Sequence, residues 1–185
     1  EIVLKKLFLG LVLVLSSLFL VACGNQANST GATSAPVEKK PEIKTIQQGE
    51  VIKTASAEVT INKISLSYDV LPDKTSGFYT RYPAKKGNVY IDVDATVKNV
   101  QKQELRCDKV LTVEANYNNG YQYSSMPVVK DEKTGFTYAN ISAIKPLESR
   151  GMKFLVDCPE EVESSKNPLS LTINIDGEKY QYTIR

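Results

Sequence analysis

Residues 88–99, NVYIDVDATVKN, decide the fold class, because apolar and polar side chains alternate along them. From Val89 to Val97 the odd-numbered positions are apolar, while the even-numbered ones are polar or amphipathic. Successive side chains of a β-strand point to opposite faces of its sheet. The segment therefore predicts an antiparallel strand with one face in a core and the other toward solvent.

The same period of two recurs along the chain. Val59 and Ile61 share one phase and Ile64 and Leu66 the other, so we expect a β-bulge near Asn62–Lys63. Further sets with a single phase are Leu105, Cys107, Leu111, Val113, Ala115 and Tyr117; Met152, Phe154, Val156 and Cys158; Leu169, Leu171, Ile173 and Ile175; and Tyr180, Tyr182 and Ile184. Each set predicts one strand face in the core.

Two dipeptides predict tight hairpins between these strands. Asn119-Gly120 and Asp176-Gly177 both tolerate positive φ, as type I′ turns require. No long helical pattern competes with the strands. About seven strands joined by turns predict one all-β domain over residues 51–185, an immunoglobulin-like antiparallel β-sandwich.

The amino-terminal segment has the organisation of a signal peptide. Lys5 and Lys6 precede the uncharged run Leu7–Ala22, which is shorter than the about 20 residues that a membrane-spanning helix needs. The sequence Leu-Val-Ala-Cys at 20–23 resembles the lipobox of bacterial lipoproteins. That resemblance implies a signal peptide over 1–22 and a diacylglycerol on Cys23; the alternative is an ordinary cysteine in a transmembrane anchor.

Residues 23–50 are rich in small and polar side chains and have little to bury. Such a composition predicts a disordered tether behind the lipidated Cys23. An edge strand within Ile43–Ile46 is the alternative that stays open. Together these segments predict a protein on the extracytoplasmic face of a bacterial cell membrane, held there by the lipid on Cys23.

Three stretches of residues 55–185 carry a family resemblance: GNVYIDVDATVKNVQKQEL, IKPLESRGMKFLVDCP and LSLTINIDGEKYQYTI. They resemble the immunoprotective extracellular protein group of Ig-like domains, which often occur on secreted bacterial lipoproteins. The resemblance implies an Ig-like sandwich outside the membrane. It supplies no catalytic residues, because that group shares none.

Composition argues against several classes of function. The chain contains no His, which removes Ser-His-Asp and Cys-His catalysis and the commonest metal ligand. A net charge of +2 gives no basis for nucleic-acid binding. Asp92 and Asp94 on one strand face, and the glutamates within 160–163, lack a calcium-loop pattern and suggest a solvated acidic surface. We expect no enzyme, no cofactor and no metal.

The two cysteines of the domain have core-facing phases. Thiols outside the cell tend to pair, so Cys107 and Cys158 are expected to form a disulfide. Two buried free thiols are the alternative.

Residues 72–88, PDKTSGFYTRYPAKKGN, form an unusually long connection. Tyr and Arg often dominate binding energy, so Tyr79, Arg81 and Tyr82 are candidates for partner contacts. These rings could instead cover the open ends of the sandwich. The sequence thus predicts a binding module at the cell surface for an envelope or host protein or glycan; the alternative is a structural or accessory envelope lipoprotein without a discrete ligand.

Overall fold

A computed structural model describes residues 43–185, and these residues are almost entirely β-structure. The predictions for the signal peptide, for Cys23 and for most of the tether fall on residues 1–42, outside this range. Within residues 43–185 no helix has the length and apolarity needed to cross a membrane.

The strands of the described part are numbered in chain order. They are β1 (Lys44–Thr45), β2 (Val51–Lys53), β3 (Ala57–Ser67), β4 (Asp69–Val70), β5 (Tyr82–Pro83), β6 (Asn88–Asn99), β7 (Leu105–Arg106), β8 (Leu111–Tyr117), β9 (Tyr121–Asp131), β10 (Gly135–Tyr138), β11 (Ala143–Ile144), β12 (Ser149–Pro159), β13 (Leu169–Ile175) and β14 (Glu178–Thr183). One short helix, α1 (Glu161–Ser164), and two 3₁₀ turns, Cys107–Lys109 and Ala139–Ile141, complete the described elements.

The strand order is that of an immunoglobulin-like sandwich, which confirms the predicted fold class. One layer runs β2-β3-β6-β12-β9 and the other β1-β14-β13-β8-β9. Immunoglobulin-type domains place strands A, B, E and D in one sheet and C, F and G in the other. Strands β3, β6, β12 and β9 reproduce the first order, and β8, β13 and β14 the second. Strand β9 belongs to both layers, pairing first with β8 and then with β12.

The predicted alternation places the core between the two layers. Val89, Ile91, Val93, Ala95 and Val97 are fully buried, as are the other core-facing sets in strands β8, β12 and β13. The predicted bulge is also present, because the register of β3 against β6 shifts between Ile61 and Lys63. The period of two therefore predicts the main core correctly.

The predicted tether extends too far toward the domain. Strand β1 pairs in parallel with β14, and Ile46 is buried in the core. The open alternative of an edge strand within Ile43–Ile46 is the correct one. The folded domain therefore begins before residue 51, because an apolar side chain at position 46 finds a place in the core.

Both predicted hairpins are present, one of them shifted by a residue. Asp176 and Gly177 have φ of 51° and 82° and connect β13 to β14, as expected for a type I′ turn. Between β8 and β9 the positive φ values, 49° and 55°, lie at Asn118 and Asn119. Gly120 instead donates its backbone N–H to Tyr117 O and ends the turn. Asn tolerates the left-handed region well enough for the turn to form one position earlier.

Leu147 has an unusual backbone conformation for a branched apolar residue. The amide of Glu148 donates to Lys145 O at 3.1 Å, which closes a turn with Pro146 second and Leu147 third. Leu147 has φ of 66° at the position where type II turns favour Gly, and its side chain is 75% exposed. Because the Leu147 side chain is exposed, its burial contributes little free energy to offset the cost of this backbone conformation.

We expect Leu147→Gly to stabilise the domain by about 1 kcal/mol, because Gly removes the Cβ penalty of a left-handed residue. Leu147→Ala is the matched control: it removes the same exposed side chain but keeps the Cβ. Urea denaturation should show a higher midpoint for the Gly variant only. Equal midpoints for the two variants would mean that the turn is not strained.

Candidate functional site

Part of the outer face of the β3-β6-β12-β9 layer is covered, although its alternating polar residues predicted solvent there. Asp92 and Lys153 lie opposite each other across β6 and β12, and each is only 7% exposed. Lys153 Nζ donates to Asp92 Oδ2 at 2.7 Å. The expected solvated acidic surface at Asp92 and Asp94 is therefore wrong, because other parts of the chain pack over these strands.

A second ion pair extends this network toward β9. Lys130 Nζ lies 2.7 Å from Asp94 Oδ2, and Lys153 Nζ lies 3.3 Å from the same oxygen. Asn62, at the bulge of β3, donates its side-chain amide to Asp94 Oδ1 at 2.9 Å. Burial alone would raise the pKa of the Asp94 carboxyl, but the hydrogen bonds from Asn62 and Lys130 and the nearby cations outweigh it, so the pKa is lowered.

This lowered pKa predicts how stability depends on pH. A carboxyl whose folded pKa lies below its unfolded value stabilises the protein above the unfolded pKa, and that contribution is lost as pH falls through the folded pKa. We therefore expect stability to fall below about pH 4, and Asp94→Asn to make this fall shallower. Thermal melts across the acid range would measure it, with the exposed Glu132→Gln as control. Parallel pH profiles for Asp94→Asn and wild type would contradict the assignment.

The cover over the outer face is a second apolar cluster. It consists of Val70, Val128, Phe136 and Leu155, with Tyr82 and Tyr90 packed against it. These residues come from β4, β5, β6, β9, β10 and β12, so the small β4–β5 hairpin is held against the sheet. The rings of Tyr82 and Phe136 lie 5.5 Å apart between centroids. This cluster fixes both ends of the long connection at 72–88.

The structure places the three proposed contact residues in different surroundings. Tyr82 packs in the second apolar cluster, and burial raises the pKa of its phenol. Arg81 Nη1 lies 2.6 Å from Asp69 Oδ2 and keeps an exposed side chain, while Tyr79 is half-buried. Tyr82 thus covers part of the domain, as the open alternative proposed, but it lies over the outer face of a sheet and not over an open end of the sandwich. The most exposed ring of the loop is instead Phe78, at 84%.

A cleft of about 690 Å³ lies where this loop meets strands β9, β10 and β12. It is lined by Pro72, Asp73, Lys74, Lys130, Asp131, Glu132, Lys133, Gly135, Ser149, Arg150 and Gly151. Its volume falls in the range of about 300–1,000 Å³ that is usual for ligand sites. Charged side chains dominate the lining, so the cleft suits a polar, charged ligand better than an apolar one.

Two glycines allow the wall of the cleft to form. A Cβ on Gly135, which has φ of 82°, would lie 2.7 Å from the Pro72 side chain. A Cβ on Gly151 would lie 2.8 Å from Lys130 Cδ. Gly135 therefore lets the loop approach the β9–β10 hairpin, and Gly151 leaves room for the Lys130 side chain to reach Asp94.

Comparison with solved structures identifies a close relative with this fold. An uncharacterized β-sandwich protein from Clostridium difficile 630 is 51% identical to this chain, with a TM-score of 0.78. The match covers 82% of this chain and 100% of that one. The chain belongs to the family of this β-sandwich protein.

A more distant match supports the same fold. A conserved hypothetical protein from Bacillus anthracis is 16% identical, covers 74% of this chain and 93% of its own, and superimposes with a TM-score of 0.51. No protein-family model and no curated protein matches the chain.

In this member of the family the predicted disulfide is wrong, because Cys107 and Cys158 are both free and buried. Cys158 lies opposite Val89, at the start of β6. Cys107 follows β7, which pairs with β11, and Asn99 at the far end of β6 donates to Ile144 O of β11. Ten residues of strand separate Val89 from Asn99, about 33 Å, whereas a disulfide needs Cα atoms within about 7 Å.

The two thiols are far apart, and burial also makes each of them poorly reactive. Burial raises the pKa of both, that of Cys158 to about 11, with the charge of Asp157 adding to the effect there. Cys158 Sγ also donates to Val89 O at 3.3 Å. We expect alkylation at pH 8 to be slow in the folded domain and to modify both cysteines rapidly in denaturant without reductant. Mass spectrometry would measure this; an unmodified, disulfide-linked pair in denaturant would contradict it.

No group of three or more His, Cys, Asp or Glu side chains within residues 43–185 is arranged to hold a metal ion. Two of the glutamates within 160–163 accept hydrogen bonds from tyrosines that are distant in the sequence. Glu161 accepts a hydrogen bond from the Tyr117 hydroxyl at 2.9 Å, and Glu163 accepts one from the Tyr68 hydroxyl. The charged cleft is therefore the candidate functional site of the described domain.

Proposed function

We propose that this protein is a lipoprotein anchored to the extracytoplasmic face of a bacterial cell membrane, and that its Ig-like domain is a binding module. The Leu-Val-Ala-Cys sequence at 20–23 supports the anchor. The single observation that carries the binding role is the charged cleft beside the loop 72–88. The partner is a component of the envelope or of a host, and the proposed role is not enzymatic.

The arrangement of the loop supports this function. The second apolar cluster fixes the β4–β5 hairpin on the sheet, so the loop residues that line the cleft start from a packed position. A preorganised site loses less conformational entropy when a ligand binds. Phe78, exposed in the same loop, adds an apolar surface that a larger partner can cover.

The anchor can be tested with Cys23→Ala in the full chain. We expect the wild-type protein to sediment with membranes and to take up labelled palmitate, because a diacyl anchor holds far more firmly than one acyl chain. The variant should lose the label and leave the membrane fraction or accumulate as precursor. Cys107→Ala, a second cysteine variant, should keep both properties. A Cys23→Ala protein that is processed and still sediments with membranes would contradict the anchor.

The binding role can be tested with immobilised residues 43–185. The relative from C. difficile aligns over its whole length with 82% of this chain, which supports using the domain alone. We expect the domain to retain a component of envelope or host extract that an immobilised unrelated Ig-like domain does not retain. Failure to retain any component under low-salt conditions would contradict a binding module.

A further inference from the structure

Some of the charged side chains that line the cleft make ion pairs within the protein, and others do not. The lining contains the cations Lys74, Lys130, Lys133 and Arg150 and the anions Asp73, Asp131 and Glu132. Lys130 is engaged with Asp94 at 2.7 Å and with Asp73 at 3.3 Å. Among the described residues, the side chains of Lys74, Lys133 and Arg150 have no hydrogen-bond or ion-pair partner.

Two of the three cleft carboxylates are held mainly by partners other than these cations. Asp131 Oδ1 accepts the backbone N–H groups of Lys133 and Thr134 at 3.0 and 2.8 Å and the Thr134 hydroxyl at 2.8 Å. These bonds, with a smaller contribution from the nearby charge of Arg150, hold the pKa of Asp131 below its usual value. Asp73 already faces Lys130. Lys74, Lys133 and Arg150 therefore make no ion pair within residues 43–185, although the carboxylates Asp131 and Glu132 lie beside them. The cleft offers a ligand cationic groups that are free to contact it, not an excess of positive charge.

We propose that this cleft binds a phosphate-bearing chain of the envelope through Lys74, Lys133 and Arg150. This inference rests on the proposed binding function and names its ligand class. An Arg guanidinium matches the geometry of phosphate oxygens in a bidentate contact, and Lys side chains add point charges.

The shape of the site favours a chain over a membrane surface. The three cations come from the loop after β4, the β9–β10 hairpin and the start of β12, and they line a recess. A single phosphate-bearing chain can enter such a recess and contact all three side chains. A flat headgroup layer enters a recess less readily than a single chain does.

The test uses short-chain inorganic polyphosphate as the probe, titrated calorimetrically into residues 43–185. The triple variant Lys74→Ala/Lys133→Ala/Arg150→Ala should bind at least about tenfold more weakly, because charge-assisted contacts are lost. The matched control Lys85→Ala/Lys86→Ala/Lys166→Ala removes the same charge at exposed positions outside the cleft. It should change the affinity by less than about twofold if contact, not net charge, decides binding.

Three outcomes would overturn the proposal. Equal weakening in both triple variants would show attraction by net charge alone. Equal wild-type affinity for poly-glutamate would remove the phosphate assignment. Binding to phosphatidylglycerol vesicles but not to polyphosphate would assign the cations to a membrane surface. Circular-dichroism melts should first show that both variants are folded.

The result separates this inference from the proposed function. If the wild-type domain retains envelope material and the cleft variant retains it equally, the ligand assignment fails while the binding module stands. If the wild-type domain retains nothing from any extract, the proposed function itself fails.

Discussion

Replacing Lys153 by Met is expected to destabilise the domain by about 3–5 kcal/mol, because it leaves the buried carboxylate of Asp92 without its cation. Asp92 and Lys153 are each 7% exposed, and their charged atoms lie 2.7 Å apart. In the variant, water has no access to the buried Asp92 carboxylate and cannot replace the Lys153 ammonium group as its partner. Natural domains are stable by about 5–15 kcal/mol, so this variant should have a much lower midpoint in urea denaturation.

The control for this prediction is the double variant Asp92→Leu/Lys153→Met. A buried ion pair replaced by apolar side chains of similar size is often neutral or stabilising. Asp92 Oδ1 also has no hydrogen-bond donor within the described part of the chain, so removing this oxygen breaks no hydrogen bond. We expect the double variant to recover most of the lost stability. A double variant less stable than Lys153→Met would mean that the pair stabilises the fold beyond mutual neutralisation.

Phe136→Ala is expected to cost about 3–5 kcal/mol, the usual range for a buried Phe. Phe136 is 3% exposed and packs against Tyr82 in the second apolar cluster. Loss of this ring should also release the β4–β5 hairpin from the outer face. Hydrogen exchange should therefore accelerate in residues 69–83 more than in the main core, and limited proteolysis should cut within the loop 72–88.

Phe78→Ala is the matched control, because the same ring at 84% exposure lies in the loop itself. Its effect on stability should stay within about 0.5 kcal/mol, as for most surface positions. Similar losses for the two variants would contradict the division between a packed cover at Phe136 and a free surface at Phe78.

The sequence predicts the main core well because strand periodicity is a local property. Alternation in residues 88–99 identifies which side chains enter the core, and the phase change at Asn62–Lys63 locates the bulge. Asp176-Gly177 predicts its hairpin because only the local backbone matters there. The β8–β9 turn moved to Asn118 and Asn119 because consecutive Asn and Gly residues offer more than one place for positive φ.

The sequence does not predict what lies over the outer face. Alternation assigns Asp92 and Asp94 to the side away from the core, but it cannot show that the β4–β5 hairpin and β10 cover that side. The disulfide prediction for the two cysteines fails for a related reason. Periodicity puts Cys107 and Cys158 on inward faces, yet it contains no information on their separation along the strand axis. The cleft likewise joins three segments that are distant in sequence.

The most direct test of this account is an amide ¹H–¹⁵N spectrum of residues 43–185 titrated with polyphosphate. The central claim is that the charged cleft is the ligand site of this β-sandwich. We predict that perturbed amides will cluster in 72–74, 130–135 and 149–151, and that the β8–β9 and β13–β14 hairpins will remain unperturbed. Perturbations concentrated at those hairpins, or no perturbation at saturating polyphosphate, would contradict the claim.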